Sequence, residues 1–458
     1  MKKVILIIVF VVSIVYGVKG QQQLAYSFGE TPQTLMLNPG AETNFRYHYG
    51  IPVLSNFSLN VGLTGFELEE LFSPGGDFTA KFQQVLGQID QSDYININAR
   101  IDILNGGYRH DEKTYFSFGF YEEVDVITYM PKDLADLVYY GNENFLNREY
   151  SFSHLNVKAD ILGVLHAGVS RKVNSKLNIG ARVKIYSSSF NVESSHNSGT
   201  FTTRNGTDNI IRQTLNDVDV EVRTSGLVDS NDQTLENATD LLSKTFLGGN
   251  LGLGFDFGMT YHFTPQVEFT ASILDLGFIR HSKNTRKYSA KGDFNFDGVN
   301  FEDFDPSSTR DYWQELGDEF KARVPTTETQ DPYTSWRPVK INAALKYSFG
   351  EIRRKECYTD THKQYYYNAI GFQVHTIMRP LRPQFSFTSF LETSLSENFH
   401  GKITHTINDY SATILGSGFT FQWGNVNVFS LVDNILGSRD LGSASNISIN
   451  FGINLVVD

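Results

Sequence analysis

The chain has 458 residues, with 51 acids against 39 lysines and arginines and a formal net charge of −12, which argues against nucleic acid as a partner. Its single cysteine, Cys357, cannot form an internal disulfide and sits in the polar stretch RRKECYTDTHK. The chain is therefore no disulfide-stapled scaffold, and the thiol reads as an exposed bystander. Aromatic residues make up 14% of the chain while mean hydropathy is below zero, a combination that regular alternation of apolar and polar positions produces.

The first twenty residues have the form of a secretory signal. Lys2 and Lys3 precede an apolar run from Val4 to Tyr16, and Val18-Lys19-Gly20 offers a small-residue exit, so cleavage is expected before Gln21. Removal of Lys2, Lys3 and Lys19 would bring the net charge to about −15. No later stretch approaches the roughly 18 to 20 apolar residues that a membrane-crossing helix needs.

Residues 21–43 lack a sustained period and carry the turn-forming groups Gly-Glu-Thr-Pro and Asn-Pro-Gly, so an irregular segment is expected there. Strand-like runs follow at 44–53 and 57–66, and Leu54-Ser55-Asn56 between them reads as a hairpin connection. Residues 67–90 change to helical spacing, with Phe82, Val85, Leu86 and Ile89 on one face. Such a helix cannot form lipid-facing wall and belongs to an excursion or a plug. Alternation resumes in YININARIDIL and KTYFSFGFYEEVDVI, where Phe116, Phe118 and Phe120 share one face and Glu123 and Asp125 share the other.

A second helix is expected over 131–145, from Pro131 at its start to Gly141 as its stop. Next comes a clear hairpin: Gly163 to Val169 leads into a turn at 172–176, and Leu177, Ile179, Ala181, Val183 and Ile185 lead out, opposite Asn178, Gly180, Arg182 and Lys184. Residues 187–247 are rich in Ser, Thr, Asn and Asp, which reads as long loops with supporting strands. Leu251 to Phe263 then alternates without a miss, putting Asp256 on the polar face. A charged helix is expected over DYWQELGDEFKAR, and further strands at 339–349, where Lys340 takes the polar face, and through the C-terminal third. The closing stretch ISINFGINLVVD places Ile447, Ile449, Phe451, Ile453, Leu455 and Val457 on one face. It should pair with the strand near 44–53.

About 12 to 16 strand candidates result, most of them long enough to cross a bilayer at a tilt of roughly 45°. Soluble sandwiches alternate too. Strand length, aromatic residues at strand ends (Tyr261 and Phe263; Phe419, Phe421 and Trp423), and a Gly/Ser/Thr/Asn-rich opposite face with isolated charges favour an all-β transmembrane antiparallel barrel in the outer membrane. The terminal Asp458, where many such barrels end on an aromatic residue, departs from that pattern.

LMLNPG, the stretch YGIPVLSNFSLNVGLTGF, PKDLADLVYYGNENF, SRKVNSKLNIGARVKIY and ILDLGFIRHSKNTRKYSAKGDFNFDG, in that order, resemble a family of secreted Bacteroidota proteins defined only as a domain of unknown function. That family is similar in fold to long-chain fatty-acid transporter-like barrels, which include the shuttle barrel of the type 9 secretion system. The resemblance implies about 14 strands, a signal peptide over 1–20, an N-terminal hatch over 21–43 and a barrel over 44–458. It also implies that Leu35 to Gly40 form the lumenal turn of the hatch, with Leu37, Asn38, Pro39 and Gly40 as its candidate residues; a plain turn before the first strand is the alternative.

DFNFDGVNFEDF places Asp293, Asn295, Asp297 and Gly298 at calcium-loop positions, but Phe304 stands where the closing acid belongs, so a turn is the better reading. His166, His262, His375 and His405 fall in strands, and no spacing selects a nucleophile partner such as Ser170 or Ser272. No enzymatic activity, metal or cofactor is expected. Inward Glu123, Asp125, Arg182, Lys184, Asp256 and Lys340 are expected to form lumenal ion pairs rather than a selectivity filter. The expected function is passive admission of hydrophobic or amphipathic small molecules, with outer-membrane lipid as the surroundings. The rival is a non-transporting barrel that partners secretion or gliding machinery.

Overall fold

The computed structural model describes residues 24–28, 31–142, 145–206, 210–228, 244–297, 312–351, 366–411, 413–435 and 446–457. Its strands are β1 (Tyr47–Gly50), β2 (Phe57–Leu63), β3 (Tyr94–Arg109), β4 (Thr114–Tyr129), β5 (Glu149–Ser151), β6 (Val157–Lys172), β7 (Leu177–Asn205), β8 (Ile211–Ser225), β9 (Asn250–His262) and β10 (Val267–His281). They continue with β11 (Thr285–Phe296), β12 (Thr326–Thr329), β13 (Tyr333–Trp336), β14 (Lys340–Glu351), β15 (Tyr366–Ile377), β16 (Gln384–Ser396), β17 (Phe399–Ile407), β18 (Ile414–Trp423), β19 (Val426–Asp433) and β20 (Asn446–Val457). Neighbours pair antiparallel around a closed wall of 14 strands. β20 closes it, pairing with β19 on one side and with β1 and β2 on the other, Tyr47 opposite Val457. Closure leaves no unpaired strand edge in the apolar zone, which is the condition for a sheet to cross a bilayer.

Alternation decides which side of the wall each residue faces. On β9, Leu251, Leu253, Phe255 and Phe257 are exposed on the outer surface, while Asp256 is fully buried inside. The closing strand behaves alike: Ile449, Phe451, Leu455 and Val457 face out, Ser448 and Asn454 face in. Turns at 173–176, 264–266, 397–398 and 424–425 are short and share one end of the barrel with the chain ends of the wall and the 352–365 connection, whereas the other long connections leave from the opposite end. Aromatic side chains ring the short-turn end, as in Tyr261 against Phe263 (centroids 5.0 Å apart), Tyr108 against Phe116 (5.5 Å) and Phe399 against Phe419 (5.8 Å). Rings with one wet and one apolar side suit that depth.

Two expectations need correction. The runs at 44–53 and 57–66 are not a hairpin, because β1 and β2 are two parts of one wall strand and both pair with β20 and β3 in the same sense. Pro52 has no N–H for the ladder, and Val53 adopts a φ of 67°, so the strand breaks and bulges there without reversing. Neighbouring strands satisfy the break: Val53 N donates to Asp102 O at 3.1 Å and Ile453 N to Leu54 O at 2.8 Å. Residues 187–205, in turn, are not loop. β7 runs on past the wall and pairs with β5 on one side and with β8 on the other, β8 pairs with β11 and β11 with β12, so a five-stranded sheet stands beyond the long-loop end. Both faces of that sheet are polar in places, which leaves only weak alternation, as in DVDVEVRT on β8, to mark it.

Apart from one turn at Thr34–Leu37, the helices among the described residues occur where the period changed, over Leu68–Phe72, Phe78–Gln88, Lys132–Tyr140 and Tyr312–Arg323, all in long-end connections. Val85 and Leu86 supply the buried face of the second. Most of the short apolar, helix-like piece TDLLSKTFL at 239–247, expected within the loop-rich stretch, and the far half of the calcium-like loop lie outside the described residues. Of that loop's acids, Asp293 accepts from Asp217 N at 2.6 Å and Asp297 pairs with Arg212 at 3.1 Å.

An arginine at Phe257, mid-strand on the outer face, should cost about 2–4 kcal/mol, read as a lower urea midpoint for the heat-modifiable folded band. In the outer sheet, burial opposes the Glu221 charge, but hydrogen bonds from Lys287, Ser195 and Arg223 outweigh it and lower the pKa from 4.5 to about 2. A depressed carboxyl stabilises the fold above its ordinary pKa, and that contribution disappears as pH falls from 4.5 toward 2. Amide exchange of residues 218–224, corrected for its intrinsic pH dependence, should therefore speed up across that window in the wild type and not in E221Q.

Candidate functional site

The lumen is occupied by the chain's own N-terminal segment. Leu24 to Phe28 and Thr31 to Ala41 are buried within the barrel, apart from the half-buried Leu37 and the undescribed pair at 29–30, and a one-turn helix covers Thr34–Leu37. A buried loop must find partners for its backbone groups, and the wall provides them. Arg182 donates to Met36 O at 3.1 Å and to Leu35 O; Ser272 Oγ donates to Leu37 O at 2.7 Å; Lys402 Nζ donates to Tyr26 O at 2.7 Å. Asn178 Nδ2 reaches Gly40 O at 3.1 Å and Ala41 O at 3.2 Å, and Ser170 Oγ reaches Ala41 O at 3.3 Å. Ser170 and Ser272 thus serve as backbone donors to this segment.

The Asn38-Pro39-Gly40 group is both a turn and a plug contact. Ala41 N donates to Asn38 O at 2.9 Å, closing the turn, and Gly40 N donates to Asn38 Oδ1 at 2.9 Å. Outside the turn, Asn38 Nδ2 donates to Met259 O at 3.1 Å and Thr260 Oγ1 to Gly40 O at 2.8 Å. The turn seats against a notch in the wall where Gly180 and Gly258 stand opposite each other on β7 and β9. A Cβ on Gly180 would overlap the Pro39 carbonyl, and one on Gly258 would overlap Asn38 Oδ1. Glycine is required here for close approach.

Above this seat an ionic ladder climbs one side of the lumen toward the long-loop end. Arg182 pairs with Asp256 (2.9 Å); Lys184 with Asp256 (2.9 Å) and Asp275 (2.6 Å); Lys340 with Asp275 (3.0 Å) and Glu123 (3.6 Å); Arg337 with Glu123 (3.0 Å) and Asp160 (3.2 Å). Arg379 grips Asp125 with both terminal nitrogens, at 2.7 and 2.9 Å. A bulge in β10 between Ile273 and Leu276, with Asp275 at φ 60°, turns Asp275 inward, where its N–H donates to Asp256 Oδ1 at 2.7 Å. The five carboxylates and five cations match in number. Charges this deeply buried are tolerated because each has an opposite partner at hydrogen-bond range.

All six charges singled out from sequence, Glu123, Asp125, Arg182, Lys184, Asp256 and Lys340, join this ladder, while Leu37, Asn38, Pro39 and Gly40 lie at its foot. Sequence reasoning missed Asp160, Asp275, Arg337 and Arg379. Asp160 shares its face of β6 with His166, a parity signal that was available. Arg337 and Arg379 each precede a proline at a strand boundary, outside any periodic run, and Asp275 turns inward only through the bulge.

The other side of the lumen is lined chiefly by hydroxyls and amides: Ser386, Thr388, Thr404, Thr406, Thr420, Asn427, Ser448 and Ser58. Two cavities flank the segment. A vestibule of about 630 Å³ opens toward the short-turn end and is lined by Phe28, Glu42, His262, Lys346, Tyr366 and Glu392 among others. An inner cavity of about 60 Å³ lies between Leu24, Ala25, Met36 and Leu37 on one side and Asn56, Ser58, Arg100 and Ser448 on the other. His262 meets Glu42 at 3.2 Å and Asn342 meets His375 at 2.6 Å. Among the described residues, no group of three or more His, Cys, Asp or Glu is arranged to hold a metal ion.

No curated protein matches the chain in sequence. Among solved structures the barrel is similar to the toluene transporter TbuX of Ralstonia pickettii, at 10% identity, 96% of this chain, 97% of that one and a TM-score of 0.43. It is also similar to a FadL homologue of Pseudomonas aeruginosa, at 10% identity, 97% and 99% coverage and a TM-score of 0.42. The translocator domain of the autotransporter NalP of Neisseria meningitidis aligns at 7% identity, 90% and 88% coverage and a TM-score of 0.31. The signature of a family of unknown function, DUF5723, spans residues 39–433, and the chain belongs to that family.

Proposed function

We propose that this protein is an outer-membrane barrel that passively admits amphipathic small molecules, and that residues 21–43 act as its hatch. The short turns would face the periplasm and the long loops the exterior, after export and removal of residues 1–20. The observation that carries this reading is that the lumen is stopped by a separate, non-wall segment held by side-chain to backbone hydrogen bonds, each worth about 1 kcal/mol net. Such a plug can leave without breaking the wall. The cavities beside it combine Leu24, Leu37 and Phe28 with Asn, Ser and charged groups, which suits a solute with an apolar body and a polar head and fits a strictly hydrophobic one less well. No cofactor enters this scheme.

A second reading is a non-transporting barrel that partners secretion or gliding proteins. The sheet of β5, β7, β8, β11 and β12 beyond the wall favours it, as does the charged filling of one lumen side. Stoichiometric co-purification with such proteins, together with no permeability, would support it.

Proteoliposome swelling in a short alkyl glucoside separates the two. Removing residues 21–43 should raise permeability well above that of the intact protein, and a truncated barrel no leakier than empty liposomes rules out the channel. Ser27 Oγ and Thr270 Oγ1 lie 3.1 Å apart across the hatch–wall boundary. In a Cys357→Ser background, the disulfide in S27C/T270C should abolish swelling by the full-length protein, and reductant should restore it.

A further inference from the structure

Taking the channel reading as its basis, we propose that Phe28 is the valve between the vestibule and the inner cavity, and that solute passes along the hydroxyl- and amide-lined side of the lumen. The two cavities share no lining residue. One apolar cluster stands between them: Leu24, Ala25, Phe28, Phe429 and Leu431, with Leu37 packed against it. Phe28 belongs to the vestibule wall, while Leu24, Ala25, Leu37 and Leu431 belong to the wall of the inner cavity. The phenyl ring of Phe28, 2% exposed, is therefore the group that touches the larger space and seals the smaller one.

The two sides of the lumen differ in what opening them requires. On the charged side, making room means separating Arg182 from Asp256 or Lys184 from Asp275, both fully buried pairs, and stranding charge in a low-dielectric interior. On the other side, Ser58, Ser448, Asn450 and Asn56 line the inner cavity beside Asp433 and Arg100, the latter held by Asp102 at 2.8 Å, and the neutral groups exchange hydrogen bonds with a passing solute or water at little net cost. The Phe28 side chain seals there by packing among Leu24, Phe429 and Leu431, and rotating that one ring opens it. The Lys402 ammonium marks the edge of this valve. It lies 5.8 Å from the Phe28 ring centroid and 4.3 Å from that of Phe390, pairs with Glu392 at 3.0 Å and holds Tyr26 O. Lys402 thereby fixes the backbone two residues from the ring while leaving the ring's own position to packing. A solute admitted this way is slim and uncharged or zwitterionic, with an apolar part that can replace the phenyl group among Leu24, Phe429 and Leu431.

The test uses full-length protein in proteoliposomes, swelling in a short alkyl glucoside, with heat-modifiable migration confirming that each variant is folded. F28A should swell about tenfold or more faster than the wild type. In a Cys357→Ser background, a cysteine at Ser448 should react with a membrane-impermeant methanethiosulfonate reagent in F28A and stay unreactive when Phe28 is intact. S448W in the barrel lacking residues 21–43 should cut its permeability severalfold, a result that does not depend on F28A folding. If the truncated barrel conducts but S448W leaves that flux unchanged, or a folded F28A stays closed with Ser448 protected, the valve and its lane are wrong while the channel reading stands. If the truncated barrel does not conduct, the channel reading falls and takes this inference with it.

Discussion

The guanidinium of Arg182 is the group on which the interior of this barrel depends. It has no contact with solvent, it neutralises Asp256, and it donates to two carbonyls of the N-terminal segment. A bare arginine at such a position would be costly, and an arginine with a single carboxylate would still have donors to place. The carbonyls at 35 and 36 take donors from both terminal nitrogens. The wall's charge network and the segment that fills the lumen therefore satisfy each other, and the bulge that brings Asp275 beside Asp256 ties in Lys184 and Lys340.

This arrangement divides the lumen into a stiff side and a soft side. Along β4, β6, β7, β9, β10 and β14, ion pairs cross-brace the wall and would lose much if parted. Along β16 to β20 and β2, mostly neutral polar groups line the wall beside the Lys402–Glu392 pair, and residues 24–28 rest on them through apolar contact and the Lys402 hydrogen bond. The break between β1 and β2 belongs to the soft side. Gln33 donates to Ser55 O at 2.8 Å, and Asn454 and Gln33 exchange hydrogen bonds across the same point, so the irregular stretch of wall and the irregular segment inside it rest against each other.

Much of this was legible from residue order alone. The faces of β9 and β20 follow from period-two alternation without exception, and the inward placement of six charges followed from parity. What parity cannot supply is partner choice, since Arg337 meets Glu123 and Arg379 meets Asp125 across more than 200 positions of sequence. The continuity of the first wall strand was hidden because Pro52 and Ser55-Asn56 carry the composition of a turn, and only the register with β3 and β20 distinguishes a bulge from a reversal. The outward run of β7 was hidden for a different reason. A sheet wetted on both faces needs no apolar period, so Ser, Thr and Asn there read as loop.

The glycine notch has a consequence for the order in which the molecule assembles. Gly180 and Gly258 form one seat only when β7 and β9 lie side by side, and the whole β8 excursion is inserted between those two strands. The segment that receives this seat is made before either of them. Residues 38–40, though earlier in the chain than either strand, can therefore take this seat only once the fifth and sixth wall strands have met.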